Sequence, residues 1–196
     1  MNKSTALNNL IDLSNILEKF QVKFWIQDGT LLGYYRHNDF ISHDTDTDLG
    51  IDFSSFNPKC LLEILNMGFS IKHIFGYIED SLEIALERNG VKTDLFFHYI
   101  IGNNQYHCAF LNDIIRIDYI YKKFNTKQIE FLNHKFPAPE NELDYIKTKY
   151  GDCWIIPDKK WHWAYSPRNH KKTDIIIDKN ISIQKFNKWI NNQHGI

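Results

Sequence analysis

Asp44, Asp46 and Asp48 fall on alternate residues of HDTDTDLGIDF, and a Gly-Thr pair, Gly29-Thr30, precedes them in QDGTLLGYYR. On a strand, Asp46 and Asp48 project to the same face, about 6.6 Å apart along the chain. Two anions so close repel unless a cation sits between them. Hard oxygen ligands, completed by water and substrate phosphates, suit Mg2+ or Mn2+. A solvated acidic turn is the competing reading. Leu49, Ile51 and Phe53 weigh against it, because they carry the run onward as a buried-type strand. A third acid, Asp94, lies amid the apolar residues of VKTDLFFHY, where a carboxylate needs a partner or a metal. An ion pair with Lys92 or Arg88 is the alternative there.

Two other chemistries fail on single residues. Aspartyl-phosphate chemistry of the D-x-D-G-T kind needs a nucleophilic Asp two positions before Asp28, and Ile26 stands there. An EF-hand loop counted from Asp44 needs Gly at its sixth position and Glu at its twelfth, but Leu49 and Ser55 occupy them. A Gly-Thr turn after a strand, an alternate acid pair on the next strand and a third acid on a later one resembles the order of the nucleotidyltransferase fold of polymerase-beta-like enzymes.

These residues need a rigid frame. Leu7, Leu10, Ile11, Leu17 and Phe20 recur at helical spacing, which predicts a helix over 4–20 with Ser4 as N-cap. Lys23–Gln27 reads as a short strand, Thr30–Arg36 as a short helix or turn after Gly29, and Asp46–Phe53 as a strand. Pro58 can open a helix running to Met67. LEIALER and VKTDLFFHYI flank Asn89-Gly90, the strongest short hairpin signal. Leu143–Tyr150 reads as a helix ended by Gly151, 156–171 as an ordered loop between Pro157 and Pro167, and Ile183–Asn191 as a final helix. The expected fold is a single α/β (α+β) domain over 1–196. Its mixed or antiparallel sheet is flanked by helices, with a helical C-terminal part packed on it.

The chain has 196 residues and is 43% hydrophobic, enough to build one core. Its 23 Lys and Arg against 24 Asp and Glu leave a net charge of -1, which argues against a nucleic-acid groove or a polybasic membrane arm. No run is long and apolar enough for an integral membrane segment, and the N-terminal stretch reads as an amphipathic helix, not a signal peptide. Cys60, Cys108 and Cys153 lack zinc-ligand spacing or a disulfide pattern, so a cytoplasmic location is expected.

DGTLLGYYRHNDFISHDTDTDLGI resembles the signature of LicD-type phosphotransferases. FGYIEDSLEIAL, VKTDLFFHY and YIKTKYGDCWIIPDKKWHWAYSPRN are similar to segments of the fukutin branch in the same order, so the resemblance runs from Phe24 to Asn169. It implies a nucleotidyltransferase fold, a CDP-alcohol donor, a glycan or polysaccharide acceptor and release of CMP. The cargo it implies is ribitol phosphate or glycerol phosphate, with phosphocholine open. The acceptor could bring the protein to the inner membrane face. Asp46, Asp48 and Asp94 are then the metal and catalytic carboxylates, Asp44 a further ligand, and Gly29, Thr30 and Arg36 the phosphate turn and its clamp. Glu79, Asp80 and Glu83 could form an outer metal shell, bind ribitol hydroxyls or be polar residues at a strand start. Lys160 and Arg168 could hold phosphate, while Trp161 and Trp163 could stack on a ring or belong to the core. A nucleotidyltransferase passing NMP to a small molecule, and an inactive nucleotide- or sugar-binding module, are the rival functions.

Overall fold

The computed structural model describes residues 1–192. Helix α1 (Lys3–Lys19) buries Leu10, Leu13 and Leu17 on one face. Its N-cap is Asn2, not Ser4: the Asn2 side chain accepts from the Thr5 amide at 3.0 Å, and the Ser4 hydroxyl donates to that same oxygen. Strand β1 (Phe24–Ile26) runs straight into helix α2 (Asp28–His37), so Gly29 lies inside the first helical turn. Strand β2 (Asp46–Asp52) and helix α3 (Pro58–Asn66) follow, the latter capped by the Asn57 side chain.

Strands β3 (Ser70–Phe75), β4 (Glu83–Arg88) and β5 (Val91–Ile101) form an antiparallel meander. Asn89 and Gly90 take φ of 54° and 75°, the pair of left-handed residues that a tight hairpin turn needs. Strands β6 (Asn104–Leu111) and β7 (Ile115–Lys122) extend the sheet, β8 (Thr126–Phe131) and β9 (His134–Pro139) make a separate hairpin, and β10 (His170–Ile176) pairs with β7. Helices α4 (Glu142–Tyr150) and α5 (Lys179–Asn192) complete the chain, so the C-terminal third holds the expected helices and, between them, a strand that was not foreseen. The result is a mixed α/β fold, a mostly antiparallel sheet flanked by helices.

Two features of the sheet position the site. Strand β2 pairs with β1 on one edge and lies parallel to β5 on the other. Strand β5 pairs first with β4 and then, beyond Phe97, with β6, so the sheet divides along one edge of β5 and opens a crevice. Alternation sorts the side chains. Leu49, Ile51, Leu95 and Phe97 are fully buried in the core, where the Thr47 and Thr93 hydroxyls also meet at 2.9 Å. Asp46, Asp48 and Asp94 take the opposite face and line the crevice.

Candidate active site

The crevice encloses a cavity of about 580 Å³. Its acidic wall is built by register. In the parallel β2–β5 pair, Asp46 stands opposite Lys92 and Asp48 opposite Asp94, and across the next pair Asp94 faces Ala85. The Lys92 ammonium lies 2.9 Å from Asp46 Oδ2 and 2.7 Å from Asp94 Oδ2. The other oxygen of Asp94, Oδ1, is buried without a hydrogen-bond partner.

Helix α2 begins at this wall. The Gly29 amide donates to Asp48 Oδ2 at 2.9 Å, and the Thr30 hydroxyl accepts from the Asp48 amide at 2.9 Å. A Cβ on Gly29 would lie 2.8 Å from Asp44 Oδ2 and 3.1 Å from Asp48 Oδ2. Glycine therefore lets two carboxylates sit against the positive end of the helix. Even so, burial pushes the Asp48 carboxyl well above the usual range, and the charges of Asp46, Asp28 and Asp94 add to it. Burial, then Asp46, also raises Asp44. Burial raises Asp94 against the pull of Lys92, and Lys92 in turn is held in its charged form by Asp94 and Asp46 despite its own burial.

A second charge pair forms the floor. Lys149 of α4 reaches Asp28 Oδ1 at 2.5 Å, and both side chains are over nine-tenths buried. The same ammonium lies over the Tyr119 ring at 4.8 Å, a cation–π contact in a desolvated place. Tyr119 also donates to the Trp163 carbonyl at 2.7 Å, which fixes the loop carrying Trp161 and Trp163 at the cavity rim.

The structure thus brings Gly29, Asp44, Asp46, Asp48 and Asp94 into one cavity. Thr30 is buried behind the wall and holds β2 to α2. Arg36 points away, donating from Nε at 2.8 Å and from Nη2 to the Trp154 carbonyl. It lines a neighbouring pocket that shares Gly29, Asp44, Tyr150 and Trp161 with the first. Glu79, Asp80, Lys160 and Arg168 lie outside the cavity wall. Glu79 pairs with Lys185 at 2.9 Å and Asp80 with Arg116 at 2.5 Å. Lys160 is exposed on a turn closed by Asp158, and the Arg168 guanidinium, 3.6 Å from Asp152, covers Gly151.

Sequence reasoning passed over Lys149 and His107 and gave Asp28 no role, but the ion pair of Asp94 with Lys92, the alternative to a metal there, is present at 2.7 Å. Lys149 had a signal: with Tyr145 and Ile146 it falls on the buried face of α4. Trp161 and Trp163, weighed as core, stand in the cavity wall.

A divalent ion suits this donor set. Four carboxylates line one wall, the charge of Asp46 helps raise Asp44, Asp48 and Asp94, and a buried Asp94 oxygen has no partner. Among the described residues they do not close into a cluster of three, and Lys92 stands between Asp46 and Asp94.

A family model described as LicD/FKTN/FKRP, nucleotidyltransferase domain, matches residues 21–141. Ribitol-5-phosphate transferase FKTN of Mus musculus is 36% identical over 161 residues, covering 81% of this chain and 35% of that protein. The Homo sapiens protein of the same name gives the same identity and coverage. The chain therefore spans about a third of the length of these relatives. An uncharacterized protein of Rickettsia prowazekii is 44% identical over 186 residues, covering 89% of this chain and 66% of its own. The crystal structure of a lincosamide antibiotic adenylyltransferase with lincomycin bound has a TM-score of 0.49 at 13% identity, covering 76% of this chain and 92% of its own.

Proposed function

The chain belongs to the LicD/FKTN/FKRP family, and on that premise we propose that it is a metal-dependent phosphotransferase. It moves ribitol phosphate or glycerol phosphate from a CDP-alcohol to a glycan hydroxyl and releases CMP. The observation that carries this reading is the row of Asp44, Asp46 and Asp48, with Asp94 across from it, set against the start of α2 in one cavity.

Asp46, Asp48 and Asp94, with Asp44 beside them, would hold Mg2+ or Mn2+, which supplies charge neutralisation on the donor diphosphate. Lys149 and Lys92, the lysines of the cavity wall, are already paired with Asp28 and with Asp46 and Asp94, and Arg36 is bound to the Trp154 carbonyl, so neutralising the donor diphosphate would fall to the ion. Asp94 Oδ1, free of Lys92, takes the proton of the acceptor hydroxyl. The acceptor oxygen then bonds to the phosphorus of the cargo, the bond from that phosphorus to the bridging oxygen breaks, and CMP leaves with the bridging oxygen. Trp161 and Trp163 at the rim narrow the mouth and shield the phosphorus from water.

The test incubates the protein with CDP-ribitol, CDP-glycerol or CDP-choline, glycan acceptors, and either Mn2+ or EDTA, and follows CMP by chromatography. Metal-dependent CMP release from a CDP-polyol is expected. A nucleotidylated acceptor formed from NTPs, with no CMP from any donor, refutes the assignment.

A further inference from the structure

Beyond the acids, the cavity wall carries polar side chains that the chain itself does not satisfy. His107 of β6 is 1% exposed, lines the cavity, and neither of its ring nitrogens has a hydrogen-bond partner. Its nearest charged neighbour, Asp28 Oδ2, is 4.0 Å from Nε2, too far to bond. The ring stacks on Tyr119 at 4.9 Å and 17° and packs on Phe96 at 4.9 Å, so it is held in place and cannot swing toward a protein partner. Glu83 of β4 is 8% exposed and lines the same cavity, and among the described residues it has neither an ion pair nor a hydrogen bond. In the β4–β5 register Glu83 faces Phe96, the ring against which His107 packs. The two groups thus flank Phe96 on one stretch of wall, next to Asp94.

A buried donor or acceptor left unpaired is costly, and natural structures keep few of them without a reason. His107 is such a group, and with the unpaired Glu83 on the other side of Phe96 it asks for a ligand that supplies the missing bonds. Burial holds the His107 imidazole well below its usual range and the Glu83 carboxyl well above its own, with Asp94 adding to the latter. A neutral imidazole presents one donor and one acceptor, and a carboxyl accepts in either charge state. A hydroxyl matches both, since it donates and accepts. A phosphate anion would prefer the lysines, and a trimethylammonium has no N–H to donate to either group.

We propose that His107 and Glu83 form a hydroxyl-reading subsite that recognises the polyol chain of the transferred phospho-alcohol and selects against a quaternary ammonium cargo. The proposal rests on the reading of the cavity as a CDP-alcohol site, and its test separates the two.

Ribitol 5-phosphate, glycerol 3-phosphate, phosphocholine and CDP are each titrated calorimetrically into the full chain with Mn2+, and into His107→Phe and Glu83→Met. Phenylalanine keeps the stack on Tyr119 and Phe96. Methionine keeps roughly the length of Glu83 and removes its hydrogen-bonding oxygens, so one variant stays informative if the other fails to fold. The wild-type protein should bind the polyol phosphates more tightly than phosphocholine. Each substitution should weaken ribitol 5-phosphate by about three- to tenfold, the range of one neutral hydrogen bond, while affinity for CDP and phosphocholine stays within about twofold, since no hydrogen bond is lost there. Unchanged ribitol 5-phosphate binding in a folded variant overturns the subsite, as does a wild-type preference for phosphocholine or no binding of any phospho-alcohol. Polyol-phosphate preference without CDP binding keeps the subsite and refutes the CDP-alcohol reading.

Discussion

Asp48→Asn should stabilise the metal-free protein while ending its transfer activity. Asp48 stands beside Asp94 on the adjacent parallel strand and two residues from Asp46, which are spacings of about 5 and 7 Å. Unit charges at those separations repel by about 2–3 kcal/mol each at an effective dielectric of about 20. Lys92 already offsets Asp46 and Asp94, and Lys149 offsets Asp28. Solvent reaches the half-buried Asp48 and screens part of what remains. A net relief of about 1–3 kcal/mol is left, and in a chain of this size each kcal/mol moves Tm by about 2–4 °C. The Gly29 amide can still donate to the asparagine oxygen, so the helix start keeps its bond. The sign with pH follows from the raised carboxyl. The folded form holds this proton to higher pH than the unfolded chain does, so the penalty is absent in acid and grows as pH climbs through the raised value. Thermal melts in EDTA should show wild type and variant converging near pH 4, at the ordinary aspartate range, and the variant melting several degrees higher at pH 8. Added Mn2+ should raise the melting temperature of the wild type and leave the variant nearly unmoved. A variant that melts at or below wild type at pH 8 in EDTA refutes the repulsion argument.

Lys92→Met removes the cation shared by Asp46 and Asp94. Stability in EDTA should fall by about 1–3 kcal/mol, and the gain on adding Mn2+ should exceed that of wild type in paired thermal melts. Lys149→Met leaves Asp28 buried and unpaired, so urea unfolding should show a loss of about 3–5 kcal/mol that a second change, Asp28→Asn, largely restores. Gly29→Ala places a methyl group against Asp44 and Asp48. CMP release should fall at least about tenfold while Tm moves by only a few degrees, because a displaced ligand set costs far more in rate than in stability.

The sequence reveals those parts of the fold whose signals are local. Asn89-Gly90, the alternation through β2 and β5, and Gly151 closing α4 at φ 77° each announce themselves within a few residues. Two further hairpins differ in how legible their turns are. Asn112 and Asp113, at φ 52° and 64°, join β6 to β7 and carry an ordinary turn signal. Leu132 at φ 51° joins β8 to β9, and leucine gives no warning there, since a branched apolar side chain seldom enters the left-handed region. The parallel β2–β5 pairing is not local at all, yet it is what sets Asp48 opposite Asp94.

The same division runs through the site. The carboxylates are legible because they must alternate on a strand, and their spacing is written in the chain. Their counter-charges are not, because a cation can approach from any element that packs nearby. Arg36 follows Gly29 by about two helical turns, close enough on paper to clamp a phosphate, but its guanidinium turns to the Trp154 carbonyl. Lys149, distant in sequence, arrives with α4 to meet Asp28. Both lysines of the cavity wall are thus committed to carboxylates, with further acids left over at Asp44, Asp48 and Glu83. A diphosphate donor adds more negative charge to a wall already short of cations. The proposed transfer therefore needs positive charge that these side chains cannot supply, and that deficit is the physical argument for a divalent ion between the acid row and the donor.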